Sequence, residues 1–166
     1  MSARFDPYEQ LDALERAHVA YVVIGAVARV IHGSGETTHA LDITPSIRDD
    51  NRRRLTRALA DLQATHQDGH PAELLDDLDT GEPLRVTTRA GDLVLVPHPW
   101  GTKGYDAIRR RQTYEPVGNR LRIPVASLTD LGQMLAASPR PEDHDRLHRL
   151  QRLLALDRRL GRGISR

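Results

Sequence analysis

The chain has 166 residues, 39% hydrophobic and 28% charged, with 24 Lys and Arg against 23 Asp and Glu for a net charge of +1. That suits one soluble globular domain with its own core and excludes disordered and membrane-spanning classes. Cysteine is absent, which removes disulfide frameworks, thiolate metal sites, iron–sulfur clusters and cysteine nucleophiles.

Asp6 as N-cap and Pro7 at the first helical position predict a helix over 7–16, with Tyr8, Leu11, Leu14 and Ala17 at helical spacing. Residues 19–24 are a nearly unbroken β-branched and aromatic run, as in a strand buried on both faces, and Gly25 ends it. A helix over 26–31 stops at His32-Gly33-Ser34-Gly35, where glycine supplies a cap and a turn. Residues 40–44 alternate apolar with polar before Pro45, which predicts a second strand with Asp42 on the face of Ala40 and Thr44. Asp49 or Asp50 then caps a helix through residue 64, with Leu55, Ala58, Leu59 and Leu62 on its inner stripe.

Residues 71–78 suit a short acidic helix or an ordered loop. Segments 84–88 and 92–96, joined across Arg89-Ala90-Gly91, predict a hairpin ended by Pro97. A glycine-containing loop from Gly101 leads to a short basic helix ending at Arg111, and residues 117–120 turn between Tyr114-Glu115 and a strand over 121–125. Ser127 and Asp130 have capping-box spacing and open a helix to residue 137. Pro139 and Pro141 break the chain before a last, leucine-rich helix from 141 to about 160. The expected organisation is one domain over 1–160 with a basic tail over 161–166. The first residues lack the basic-then-apolar order of a signal peptide, so the expected compartment is the cytoplasm.

The unit richest in chemical meaning is strand, Gly25-Ala26, helix, His32-Gly33-Ser34, then the strand with Asp42. A glycine between strand and helix lets a phosphate approach unpaired backbone N–H groups, and an aspartate on the neighbouring strand can hold the metal bound to that phosphate. The same residues also suit a plain turn followed by a half-exposed strand.

The order of residues resembles the nucleotidyltransferase-fold proteins of the abortive-infection and toxin–antitoxin (AbiEii-like) type, relatives of DNA polymerase beta. The resemblance rests on Gly25, His32, Gly33, Thr38 and Asp42, then on Gly91-Asp92-Leu93-Val94-Leu95, Pro99, Gly101 and Gly104-Tyr105-Asp106. It continues through residues 125–131, Met134, Ala136-Ala137 and Arg140-Pro141-Glu142-Asp143. It implies an α/β fold, a small mixed β-sheet flanked by helices with the C-terminal helices packed against it. It also implies a nucleotide site at Gly25, Ala26, Gly33, Ser34 and Thr38.

Departures fall where transfer chemistry needs residues. Ala26 replaces the second glycine of the family's pair, Ala40 the first aspartate of its strand pair, Val94 its third carboxylate, and Leu135 a lysine that often follows the methionine. A two-metal transfer needs carboxylates that hold two cations roughly 3.5–4 Å apart. Asp42 is the one remnant of that trio as a catalytic and metal-binding residue, and Asp92 can join it only through a register shift of two residues. The expected function is therefore a catalytically impaired protein that binds nucleotide, nucleic acid or a partner protein, in a toxin–antitoxin or defence pair. The alternative is an active Mg²⁺-dependent transferase that moves a nucleoside monophosphate to RNA or protein. A third reading is an interaction module that docks a partner or second copy through its C-terminal leucines.

Basic clusters at Arg52, Arg53 and Arg54 with Arg57, at Arg109, Arg110 and Arg111, and at Arg158, Arg159, Arg162 and Arg166 form a phosphate-tracking surface if the fold gathers them. Trp100, Tyr105 and Tyr114 offer stacking faces. Solvated helices that pair Arg with Asp and Glu explain the same clusters. His144 and His148 have the i, i+4 spacing of a metal pair, but Asp145 stands where a zincin has Glu.

Overall fold

The computed structural model describes residues 4–71 and 77–161; most of the predicted acidic segment, Arg162 and Arg166 lie outside these. Asp6 accepts a hydrogen bond from the Glu9 backbone N–H (3.2 Å) and opens α1 (Pro7–Arg16). The chain continues through β1 (Tyr21–Ile24), α2 (Gly25–Ile31), β2 (Ala40–Pro45) and α3 (Asp49–Asp61). A 3₁₀ turn at Asp77–Thr80 leads to the hairpin β3 (Leu84–Thr88) and β4 (Gly91–Leu95). Next come α4 (Tyr105–Ile108), a 3₁₀ turn at Arg109–Arg111, and a second hairpin of β5 (Thr113–Val117) and β6 (Leu121–Val125). Ser127 Oγ accepts from the Asp130 N–H (3.1 Å) to start α5 (Leu128–Ala137), and α6 (Glu142–Leu160) follows.

The six strands form one mixed sheet in the order β3-β4-β2-β1-β6-β5. β1 pairs antiparallel with β2 and parallel with β6, while β2 pairs parallel with β4. The expected α/β architecture is the one observed. Register divides the sheet into two unlike faces. One carries Tyr21, Val23, Leu41, Ile43, Val86, Leu93, Leu95, Ile123 and Val125, all buried in one apolar core with Leu11, Leu14, Leu55 and Leu59 of α1 and α3. Each such fully buried aliphatic side chain contributes roughly 1.5–3 kcal/mol by leaving water. The opposite face carries Ala40, Asp42, Arg85, Thr87, Asp92 and Val94, and the ionisable side chains of β2, β3 and β4 lie on it.

Several element ends differ from expectation for local reasons. α1 and α3 close with the left-handed residues His18 (φ 56°) and Gln63 (φ 53°), each followed by N–H groups that reach back to the last turn's carbonyls, Val19 to Leu14 and Ala64 to Leu59. These are Schellman closures without the usual glycine, so β1 starts at Tyr21 and α3 stops at Asp61. Asp49 and Asp50 sit in the first turn of α3, where they favour its dipole, while Arg48 holds the cap position. The first hairpin pairs Thr88 with Gly91 across a two-residue loop, so Gly91 belongs to β4. Among the described residues no helix is long and apolar enough to cross a membrane.

Candidate functional site

The strand-to-helix turn brings Gly25 against Asp42. β1 and β2 pair Ile24 with Asp42, Gly25 has φ +68°, and a β-carbon there would stand 2.5 Å from Asp42 Oδ2. Glycine meets both conditions, a left-handed backbone and close approach of a side chain. On the other edge of β2 the register pairs Asp42 with Val94 and Ala40 with Asp92. The Asp42 carboxylate is thus flanked by an isopropyl group across the strands and by a methyl group two residues earlier.

Asp92 is held elsewhere. Arg85 Nη1 donates to its Oδ2 (2.7 Å) and Thr87 Oγ1 to its Oδ1 (3.2 Å), both from β3. It does not line the cleft that holds Asp42.

That cleft has a volume of about 370 Å³ and is lined by Gly25, Arg29, Asp42, Arg85, Val94, Trp100, Arg140 and Asp143, with Leu131, Met134 and Leu135 of α5 among its apolar residues. Among the described residues no donor hydrogen-bonds the Asp42 carboxylate. Burial pushes its pKa above the ordinary value, against the opposing pull of Arg85, Arg29, Arg140 and Arg146. The cleft therefore sets a carboxylate without a protein donor beside arginines that are each paired with another acid.

The three cleft arginines differ in freedom. Arg29 is 8% exposed and spends Nε and Nη2 on the two oxygens of Glu36 (2.7 and 2.9 Å). Burial pushes the Glu36 carboxyl up, but the hydrogen bonds and charge of Arg29, with Ser34 and Arg146, outweigh it and bring the pKa below the ordinary value. Arg85 and Arg140 are 48% and 53% exposed. Arg140 donates from Nε to Asp143 Oδ2 (3.0 Å) and lies 5.2 Å over the centroid of Trp100, itself 46% exposed. Asp143 also accepts from Ser138 Oγ (2.5 Å) and Arg146 Nη1 (2.7 Å), so its carboxylate ties α5 to α6. Burial raises the Asp143 pKa and these three donors more than reverse it.

Other residues named from sequence take different places. Ala26 follows Gly25 but does not line the cleft. Gly33 (φ +110°) closes α2 at its far end, Ser34 Oγ donates to Glu36 (2.9 Å), and Thr38 Oγ1 donates to the Ala40 carbonyl (3.0 Å). These three build the connection to β2 and do not line the cleft. His32 caps α2, its Nε2 2.9 Å from the Ala126 carbonyl. Arg52 is buried at the start of α3 and donates to the Ile47 carbonyl (2.6 Å) and Asp79 (2.5 Å), while Arg53 is exposed and Arg54 half-buried. Arg109 stacks 5.9 Å from the Tyr105 centroid, Arg110 is exposed, and Arg111 binds the buried carboxylate of Asp130. His144 and His148 are exposed on α6, and among the described residues no three metal-ligating side chains gather.

Arg29 and Arg85 were not singled out by sequence. For Arg85 the signal was there: a two-residue hairpin loop fixes Arg85 opposite Val94, beside Asp42 in the next strand.

The sequence matches no family model and no curated protein. Its structure is similar to two solved structures of nucleotidyltransferases. The antibiotic-resistance factor ANT(2'')-Ia, determined in solution, aligns with a TM-score of 0.57 at 15% identity, over 95% of this chain and 92% of that one. TM1012 of Thermotoga maritima, assigned as a nucleotidyltransferase, aligns with a TM-score of 0.51 at 13% identity, over 96% and 97%. The chain has the nucleotidyltransferase fold. Transfer chemistry on the related polymerase architecture implies a pair of Mg²⁺ ions, and the residues here do not fit them. Asp42 faces Val94, the Ala40 side chain offers no oxygen, Asp92 is taken by Arg85, and Asp143 is held by Ser138, Arg140 and Arg146, while Arg85, Arg29, Arg140 and Arg146 act on the Asp42 carboxylate.

Proposed function

We propose that this protein uses the nucleotidyltransferase fold to bind a nucleotide without transferring it. One observation carries the reading. Of the carboxylates on the polar face of the sheet, Asp42 and Asp92, only Asp42 lines the cleft, where it stands opposite Val94 among Arg29, Arg85 and Arg140; the other acids of the lining are Glu82 and Asp143, the latter held by Ser138, Arg140 and Arg146. One carboxylate does not position two cations at about 4 Å, whereas arginines and an exposed tryptophan suit the phosphates and base of a nucleotide. The cleft volume, near the lower end of ligand pockets, suits one small molecule better than a polymer.

The sequence resemblance extends the proposal to biology: a non-transferring member of a toxin–antitoxin or defence pair, acting on a cognate protein or RNA through a nucleotide-dependent surface. The exposed Arg53 and Arg110 are candidates for such a contact. The test is twofold. Each of the four labelled NTPs is incubated with the chain, Mg²⁺ or Mn²⁺, and total RNA, and binding of the same NTPs is measured by calorimetry. The expected result is saturable binding of at least one NTP without label transfer. Label on RNA or on the protein that disappears in Asp42→Ala overturns the reading and makes the chain an active transferase.

A further inference from the structure

Resting on the reading just given, we infer that Arg85 and Arg140 take the place of metal ions, so that the cleft holds a nucleotide's phosphates directly, with no divalent cation, while Trp100 receives the base. The argument begins with donor counting. A guanidinium offers five N–H donors, and a carboxylate engages two of them at most in a fork. Arg85 gives Nη1 to Asp92, which leaves Nε and Nη2. Arg140 gives Nε and Nη2 to Asp143, which leaves Nη1. Both side chains are half-exposed and both line the cleft. Arg29 is unlike them: buried, with its fork filled by Glu36, it adds positive potential but has little donor capacity to spare.

Position supports the assignment. Arg85 is paired with Val94, and Val94 with Asp42, so the guanidinium is rooted two strands from Asp42 in the row that crosses the vacated carboxylate position. A phosphate there meets a cation where a metal-bound site would need an acid. Arg140 roots at the α5–α6 junction and lies over Trp100, so the two arginines enter the cleft from the sheet and from the helices. Asp42, half-buried and without a hydrogen-bond donor among the described residues, is left to accept from a ligand hydroxyl or amino group. Acceptor, cations and an exposed aromatic ring within about 370 Å³ describe a phosphorylated nucleoside.

The experiment measures binding of ATP, GTP, CTP and UTP to the full chain by calorimetry, in EDTA and again in Mg²⁺, with inorganic tripolyphosphate as the probe for phosphate alone. Binding in EDTA should equal or exceed that in Mg²⁺, because the cation neutralises charge the arginines would otherwise meet. Arg85→Gln should weaken nucleotide and tripolyphosphate alike by about tenfold or more, the scale of one lost charge-assisted hydrogen bond. Trp100→Ala should weaken the nucleotide and leave tripolyphosphate unchanged. Arg140→Gln also loosens the α5–α6 junction, so its binding is read only beside an unchanged circular dichroism spectrum, and Arg85→Gln carries the test by itself. Nucleotide binding that EDTA abolishes overturns this inference while the binding function stands. No binding of any nucleotide under either condition overturns both.

Discussion

Oδ2 of Asp42 lies 2.5 Å from the point where a β-carbon on Gly25 would be, so the acid of the cleft and the first residue of α2 are fitted to each other. Gly25→Ala meets two costs at once. The left-handed backbone (φ +68°) strains an alanine by roughly 1–3 kcal/mol, and the methyl group must displace the carboxylate. Urea unfolding should show the loss, and Gly25→Ala made in an Asp42→Gly background should cost less, since the contact part vanishes while the backbone part remains. Equal costs in both backgrounds would mean the two residues are uncoupled.

Glu36 and Arg29 form the most buried of the intramolecular ion pairs described, at 7% and 8% exposure. Removing one partner strands the other, so Glu36→Ala should destabilise by about 3–5 kcal/mol. Glu36→Leu combined with Arg29→Met should recover most of that loss. The pair also sets an acid limit. Because Glu36 and Asp143 are held below the ordinary carboxylate range in the folded chain, their stabilisation is complete above that range, roughly pH 4, and is lost as pH falls through their folded values. A denaturation series from pH 6 downward should show stability falling below about pH 4, and Glu36→Gln should flatten part of the slope.

How much of this was readable beforehand varied with the residue. The apolar run at residues 19–24 marked β1, buried on both faces, and the segments 84–88 and 92–96 marked the first hairpin, whereas β5, half-exposed along its length, was read only as Tyr114-Glu115 beside a turn. Ser127 announced α5 through its own side chain. Gly33 announced the end of α2, but the closures at His18 and Gln63 left no mark, since neither is the glycine that usually signals a left-handed helix end. The resemblance marked Val94 as the place of the third carboxylate, whereas its pairing with Asp42 and the company of Arg29, Arg85 and Arg140 depended on strand register and helix docking across the chain. Gly33, Ser34 and Thr38 looked like phosphate ligands because a glycine-rich turn serves either a ligand or the chain, and here they close a helix and turn into β2.

Asp42 carries the opposite pH sign from Glu36. Burial raises its pKa, so the folded chain binds its proton more tightly than the unfolded chain does, and stability falls as pH rises through the interval between the ordinary and the raised value. Asp42→Asn removes that charge and keeps the shape. Its Tm should exceed that of the native chain at pH 7, and the difference should fade below about pH 4, where the native aspartate is protonated in both states. A lower Tm at pH 7 would show that the cleft arginines stabilise the carboxylate more than burial penalises it.

Restoring the missing acids tests what their loss accomplished. Ala40→Asp and Val94→Asp together place two carboxylates beside Asp42, one two residues away on its own strand and one directly across, where paired β-carbons lie roughly 5 Å apart. Without metal the three acids repel in a half-buried cleft, and the double variant should lose about 1–3 kcal/mol. Millimolar Mg²⁺ should return it, since a cation that binds only the folded chain stabilises by about 2.7 kcal/mol at a hundred times its dissociation constant. The native chain should show no such Mg²⁺-dependent rise in Tm, because Val94 and Ala40 leave Asp42 as a single ligand. A rise in the native chain that Asp42→Asn abolishes would mean that the lone aspartate holds a cation after all, and that the arginines around it share the phosphate with a metal instead of replacing it.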